Sequence, residues 1–492
     1  MNNYIRTVGL SLLALFGIAQ AQGAESTTVN HPEWSRNAVI YEVNTRQYTP
    51  EGTFDAFAAH LPRLRNLGVD ILWFMPIHPI SELNHKGGLG SYNAVRDYKA
   101  ENPEFGDIIS FRSHVSKAHA LGMKVIIDWV PNHTGCDNAW VKQHPDWFAK
   151  NDKGKMYGPF DWTDVYQLDY NNKEMRAAMI DAMKFWITDA CIDGFRCDVA
   201  GRVPVDFWNE CRAALEAAKG DGQLFMLAEA TEPELLDHAF DMDYNWPMKD
   251  LQNAVAATRG EYPFVREGQT QPASLPVKNA ADIAALVTEQ FTKYPAGSYL
   301  MNMVTNHDLN SWEGTEFQRY GKYLPAMTAL TYMLPGMPLI YTGQEAALNR
   351  ALEFFVKDNV AEFAEIAKTG STAWQASEML RTLNAFKHSY PQLNAGMCNF
   401  TNAGSNEPCP SSVTADNESV VKIVRTVPGN SLAVVAVINF GTDNAPLPAY
   451  ADKAVANAVN SQTVTVIGQS AGNSDVAPGA AAIFVVPVTA LR

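Results

Sequence analysis

The chain has 492 residues, 47% of them hydrophobic, and a formal net charge of −15. That length holds two or three domains with large cores, and the acidic balance argues against nucleic acid or an anionic membrane as partner. Six cysteines are too few for disulfides to be the main staple of so long a chain.

Residues 1–21 read as a secretory signal peptide. Arg6 supplies the positive start, and Val8–Ala19 is an apolar run shorter than the about 20 residues a membrane span needs. Ala19-Gln20-Ala21 has the small-x-small form of a cleavage site. No later run of that kind follows, so an exported product, periplasmic or secreted and free of the membrane after cleavage, is expected.

Ala38–Val43 predicts a first strand and Val69–Met75 a second, with Phe57, Leu61, Leu64 and Leu67 at helical spacing between them. Ile109–Leu121 predicts a helix stopped by Gly122, and Lys124–Val130 a third strand. Asp193–Ala200 is the fourth, followed by Leu224–Glu229, Ala239–Tyr244, Tyr299–Thr305 and Pro338–Thr342. Strands alternating with helices imply parallel βαβ units. Eight units of about 30 residues each suggest an α/β fold, a (β/α)8 TIM barrel, here over residues 30–390. A doubly wound sheet would carry a Gly-rich phosphate loop after its first strand, and none is present.

The interval from Asp128 to Asp198 is more than twice one unit. Its surplus, residues 133–171, is rich in Trp, Asp, Asn, Gly and Pro and predicts a small excursion domain over the barrel mouth. A similar surplus between Asp243 and Asp308 predicts a second insertion, and Trp374–Phe386 the last barrel helix. Beyond it, residues 391–492 carry β-type runs at Val420–Val424, Leu432–Phe440, Thr463–Ile467 and Ala482–Val486, the pattern of an all-β sandwich domain. Cys398 and Cys409 flank a polar loop and are candidates for a bridge in an exported chain. Cys136, Cys191, Cys197 and Cys211 read mostly as core thiols, with one further bridge left open.

The chemistry concentrates at strand ends. Arg196 and Asp198 share one face of the fourth strand, an arrangement costly to bury unless the charges pair. In a TIM barrel the C-terminal strand ends meet at one mouth, which would gather Asp128, Asp198, Glu229 and Asp308. Crowded carboxylates repel, so one of them holds a proton near neutral pH. A protonated acid beside an ionised carboxylate is the pair that cleaves glycosides. A hard cation would use the same oxygens, and His133 and His307 suit sugar hydroxyls or a metal equally. Trp129, Trp140, Trp147, Trp162 and Trp246 are candidates to stack on sugar faces, with core burial the commoner fate of any one.

Taken in order, Asp128-Trp-Val-Pro-Asn132-His133, Gly194-Phe-Arg196-Cys-Asp198, Glu229 and Asn306-His307-Asp308 resemble the motif set of the α-amylase family of glycoside hydrolases (family 13). Gln167-Leu-Asp169-Tyr-Asn171 is similar to that family's extra motif in its excursion domain, and Gly343-Gln344-Glu345 and Phe354-Phe355 also fit. The resemblance spans roughly residues 36–390. It implies a retaining double displacement on α-glucans, most of all α-1,4 bonds in starch, maltodextrins or related oligosaccharides. Asp198 would be the nucleophile, Glu229 the general acid and then the base, and Asp308 a binder of sugar hydroxyls. Arg196, His133, His307 and Tyr92 complete the implied substrate site, Arg196 by holding Asp198, with Asp128 behind it. Asn93 stands where the family stacks a Tyr under the sugar; Tyr92 takes that role if the register shifts by one residue. No cofactor is implied for the chemistry. A structural calcium is left open: Asn132 and Asp169 match its ligand positions, but Gly201-Arg202 replace the Lys-His pair of many starch-degrading members. A transglycosylase or glucosyl isomerase with the same triad, and a non-catalytic glycan-binding scaffold, remain as alternatives.

Overall fold

The computed structural model describes residues 27–261, 275–396, 411–472 and 474–491. The expected signal peptide of residues 1–21 and the candidate Cys398–Cys409 bridge lie outside the described residues.

Ten strands precede the C-terminal region: β1 (Ile40–Val43), β2 (Ile71–Phe74), β3 (Lys124–Trp129), β4 (His133–Gly135), β5 (Val165–Gln167), β6 (Gly194–Cys197), β7 (Phe225–Ala228), β8 (Met242–Tyr244), β9 (Tyr299–Asn302) and β10 (Met337–Tyr341). Eight of them close a parallel barrel in the order β1-β2-β3-β6-β7-β8-β9-β10, with β10 paired back onto β1. These strands are apolar runs because both faces are covered.

Alternation along each strand sorts the core into two layers. Ile40, Ile71, Trp73, Ile126, Phe225, Leu227, Met242, Met301 and Leu339 fill the barrel interior. Tyr41, Leu72, Phe74, Val125, Ile127, Phe195, Met226 and Ile340 point outward into the helix layer. Each such side chain, fully buried, contributes roughly 1.5–3 kcal/mol. The same alternation turns Glu42, Asp128 and Arg196 inward, one step above that apolar filling; Glu42 is in register with Trp73, and Asp128 with Arg196. The barrel interior therefore ends in a charged layer at its C-terminal mouth.

The expected first helix is two short ones, Phe54–Ala58 and Leu61–Leu67, the second closed by Gly68 at φ 104°. Gly68 donates its N–H back to the Arg65 and Leu64 carbonyls, a left-handed cap that glycine adopts without strain. The surplus after β3 holds β4 and β5, paired antiparallel with His133 opposite Gln167. The second surplus holds helices Trp246–Thr258 and Ala280–Lys293 on either side of the undescribed residues 262–274.

Seven strands follow: β11 (Ser412–Ala415), β12 (Val420–Arg425), β13 (Leu432–Asn439), β14 (Ala445–Pro446), β15 (Val464–Ile467), β16 (Asp475–Val476) and β17 (Ala481–Pro487). They form a five-stranded antiparallel sheet, β11-β12-β13-β17-β15, and a two-stranded ribbon, β14-β16. One face of the large sheet (Val421, Ile423, Val434, Ala436, Ile438) joins the barrel's outer core. The other (Val435, Val437, Phe484, Val486) packs with Ala445 and Val476 of the ribbon. The sandwich's second layer is thus a ribbon of two-residue strands, too short to leave a pattern in the sequence. Cys136, Cys197 and Cys211 are buried free thiols, whereas Cys191, grouped with them from the sequence, is exposed. Among the described residues no helix is long and apolar enough to cross a membrane.

Candidate active site

Arg196 is the hub of the charged layer. It lies at the inward face of β6, 1% exposed, with its guanidinium near the rings of Trp73 (5.1 Å) and Tyr244 (5.5 Å). Its Nη1 donates to both oxygens of Asp128 at 3.1 Å and to Asp198 Oδ1 at 3.0 Å, and its Nε to the Tyr244 hydroxyl at 3.1 Å. Its Nη2 sits 2.9 Å from Glu229 Oε2, a close charge contact off the hydrogen-bond line. One cation thus touches the carboxyls that end three adjacent strands.

Asp198 follows β6 directly, and its backbone N–H donates to the Trp129 carbonyl at 2.8 Å, fixing the strand end. The next residue, Val199, adopts φ 38°, a left-handed conformation costly for a β-branched side chain. That turn aims the Val199 N–H at Glu229 Oε2, 2.8 Å away. Burial pushes the Glu229 carboxyl up to about 7; Arg196 pulls it down, and Asp198 and Asp308 push it further up. With Oε2 committed to Val199 and Arg196, the proton belongs on Oε1. Burial also pushes Asp128 up. Yet Trp73 Nε1 donates to Asp128 Oδ2 at 3.0 Å and Arg196 to both oxygens, so only donors surround it, which suits the carboxylate.

The two histidines differ in charge. Burial lowers His133 to about 4, so the imidazole is neutral; its Nε2 has no partner among the described residues. Burial also opposes charge on His307, but Asp308 and Glu42 outweigh it and hold the ring up at about 10. His307 Nδ1 lies 2.5 Å from Glu42 Oε1, and Nε2 lies 3.4 Å from Asp308 Oδ2. Asp308 is the most open of the acids, its side chain 41% exposed.

Asp198, Glu229, Asp308, His133 and His307 all line one open cavity of about 760 Å³, within the ~300–1,000 Å³ of ligand pockets. Trp162 of the excursion, and Trp312, Phe354 and Phe355 opposite, supply aromatic walls. Two sequence-based placements need correction. Arg196 does not line the cavity; its donors go to Asp128, Asp198 and the Tyr244 hydroxyl, so it orders the site rather than binding ligand. Tyr92 is 1% exposed, covered on one ring face by Arg46 at 4.3 Å, with its hydroxyl donating to Asn44 Oδ1 at 3.0 Å. The cavity wall carries Asn93 instead, so the register does not shift. Of the five tryptophans singled out, Trp162 lines the cavity, while Trp129 and Trp147 are buried.

Glu42, Trp73, Tyr244 and Trp312 escaped sequence reasoning. Glu42 had a signal: a carboxylate closing an apolar strand, the pattern that marked Asp128. The two positions matched to the calcium site are engaged within the chain. Asn132 Oδ1 accepts from Gln167 Nε2 at 3.1 Å, and Asp169 Oδ1 accepts from the backbone and side chain of Asn171 at 3.0 and 2.9 Å. Among the described residues no group of three or more His, Cys, Asp or Glu side chains is placed to hold a metal.

A parallel barrel that gathers a protonated acid, ionised carboxylates and aromatic walls around one cavity is the site of a glycoside-processing protein. The comparisons with known proteins give the family: residues 22–378 match the α-amylase catalytic domain, and the chain belongs to the α-amylase family of glycoside hydrolases. It is 26% identical over 444 residues to the α-amylase MalA of Haloarcula japonica, covering 86% of this chain and 58% of that protein. To neopullulanase 2 of Thermoactinomyces vulgaris it is 29% identical over 375 residues, 65% of this chain and 58% of that one. The chain thus spans less than two thirds of the length of these curated relatives. An α-amylase structure from Lactobacillus plantarum superposes with TM-score 0.68 at 26% identity, covering 92% of this chain and 99% of that one.

Proposed function

We propose that the protein is an exported, retaining glycoside hydrolase that cleaves α-glucosidic bonds, chiefly α-1,4, in starch, maltodextrins or related oligosaccharides. Asp198 attacks the anomeric carbon. Glu229 Oε1 gives its proton to the departing sugar oxygen and later takes one from water. Asp308 and the charged His307 hold ring hydroxyls, and neutral His133 offers its Nε2 to another. The carrying observation is the single guanidinium contacting Asp198 at 3.0 Å and Glu229 at 2.9 Å. That shared contact draws the two carboxyl groups toward the about 5–5.5 Å separation of retaining pairs, while Glu229 is pushed up to about 7 beside them.

The test is incubation with starch, maltoheptaose and pullulan, with products sized and their fresh anomeric form read by NMR. Shorter products with retained α-configuration are expected from the wild type, and none from Asp198→Ala. Inverted products overturn the mechanism. Longer products would shift the reading to transfer, the activity in the name of the maltosyltransferase of Rhodospirillum rubrum, 31% identical over 244 residues.

A further inference from the structure

Asn93 reaches the reacting carboxyl from the cavity side. Its Nδ2 donates to Asp198 Oδ1 at 3.0 Å, the same oxygen that accepts Arg196 Nη1 at 3.0 Å. No described residue donates to Asp198 Oδ2. The loop that carries Asn93 is pinned: the Asn93 N–H donates to Ser91 Oγ at 3.3 Å, the Ala94 N–H to the Ser91 carbonyl at 3.1 Å, and the Ser81 N–H to the Ala94 carbonyl at 2.8 Å. The amide is therefore held in place before any ligand arrives.

We propose that Asn93 is a positioning residue that makes Oδ2 the attacking oxygen of Asp198 and speeds release of the sugar from it. The proposal rests on the retaining reading above. In the first half-reaction Oδ2 bonds to the anomeric carbon, and the glycosidic bond breaks with its electron pair going to the leaving oxygen, which takes the Glu229 proton. Oδ1 is then the carbonyl oxygen of the ester, still under the Asn93 and Arg196 donors. In the second, water attacks the same carbon and gives its proton to Glu229. The carbon–Oδ2 bond breaks and its electron pair returns to Asp198. Negative charge thus spreads back onto Oδ1 in the second step, where both donors meet it. In the first step the same donors draw charge away from the nucleophile while orienting it, and the two effects offset.

The asymmetry predicts which rate moves. A hydrogen bond to a charged group carries about 10–100-fold in rate. Asn93→Leu, which keeps the shape and loses the donor, should slow release from Asp198 by that factor and leave its attack little changed. On an aryl α-maltoside with a good leaving group, kcat and KM should fall together, with kcat/KM nearly unchanged and a burst of phenol matching the enzyme concentration. Asn93→Ala should behave alike, which separates donor loss from misfolding of either variant. A parallel fall in kcat and kcat/KM without a burst, or near-wild-type turnover, overturns the proposal. Labelling wild-type Asp198 with a 2-deoxy-2-fluoro maltosyl fluoride tests the parent reading separately. No label there removes that reading, whereas a label with no burst in Asn93→Leu removes only the role of Asn93.

Discussion

Glu42→Gln isolates the electrostatics of the cavity in one substitution. His307 sits between Glu42 on β1 and Asp308 beside it, with Trp73 and Phe354 as ring neighbours and the Arg196 cation opposing its charge. The imidazole is raised from 6.5 to about 10 against the pull of burial. Glutamine keeps an acceptor for Nδ1 but removes the charge. One buried opposite charge at this range moves a pKa by about 1–3 units, so His307 should titrate about 1–3 units lower in the variant. Each unit is ~1.4 kcal/mol, so folded-state stability should change by on the order of 1–4 kcal/mol. The sign follows from a raised pKa: the stabilisation is fully present below 6.5 and is lost as pH rises through about 10. The variant should lose it at lower pH, so the two stabilities should differ most below about 7 and converge as pH rises through about 10. Nitrogen-15 NMR of the imidazole across that range reads the midpoint directly. A His307 midpoint unmoved or raised in Glu42→Gln would refute the pairing as the cause.

Glu229 titrates with the same sign, so its contribution to stability declines as pH rises from 4.5 through about 7. Because the acid must hold its proton, kcat/KM should fall above about 7, and Glu229→Gln should cost about 10²–10⁴-fold in kcat; a pH–rate profile flat through that region contradicts the assignment. A Cβ at Gly194 would lie 1.7 Å from the Phe225 carbonyl oxygen across the β6–β7 ladder. Gly194→Ala should therefore destabilise by more than about 4 kcal/mol, read by denaturant unfolding, and a near-wild-type midpoint would mean the ladder yields. Since Asn132 Oδ1 and Asp169 Oδ1 already accept protein N–H groups, EDTA should shift Tm by less than about 2 °C; a large loss restored by calcium would refute that.

The barrel was legible because its eight strands are apolar runs spaced by amphipathic helices, a pattern written locally. The acids at the strand ends were legible for the same reason: a carboxylate closing an apolar run is conspicuous. Glu42 closes such a run too, but its function lies in His307, 265 residues away, and nothing local announces a partner at that distance. Asn93 and Tyr92 expose a second limit. Both sit in a loop, where no period fixes which side chain faces the cavity, so their order was open until the Ser81 and Ser91 hydrogen bonds set it. The two-residue strands of the ribbon mark a third, being shorter than any repeat that could be counted.

The charge balance of the mouth then decides where the reactive proton resides. Five carboxyls, Glu42, Asp128, Asp198, Glu229 and Asp308, meet two cations, Arg196 and His307, because His133 is neutral. Asp128 has donors on both oxygens, Asp198 has two on Oδ1, and Glu42 faces His307. Asp308 is open to solvent over 41% of its side chain, so water can carry part of its charge. Glu229 combines burial, two carboxyl neighbours that push it up, and one oxygen left uncommitted. A proton on Asp128 would leave a Trp73 or Arg196 donor without its acceptor, at a cost of about 1–3 kcal/mol. On Glu229 Oε1 it displaces no donor, and Glu229 lines the cavity.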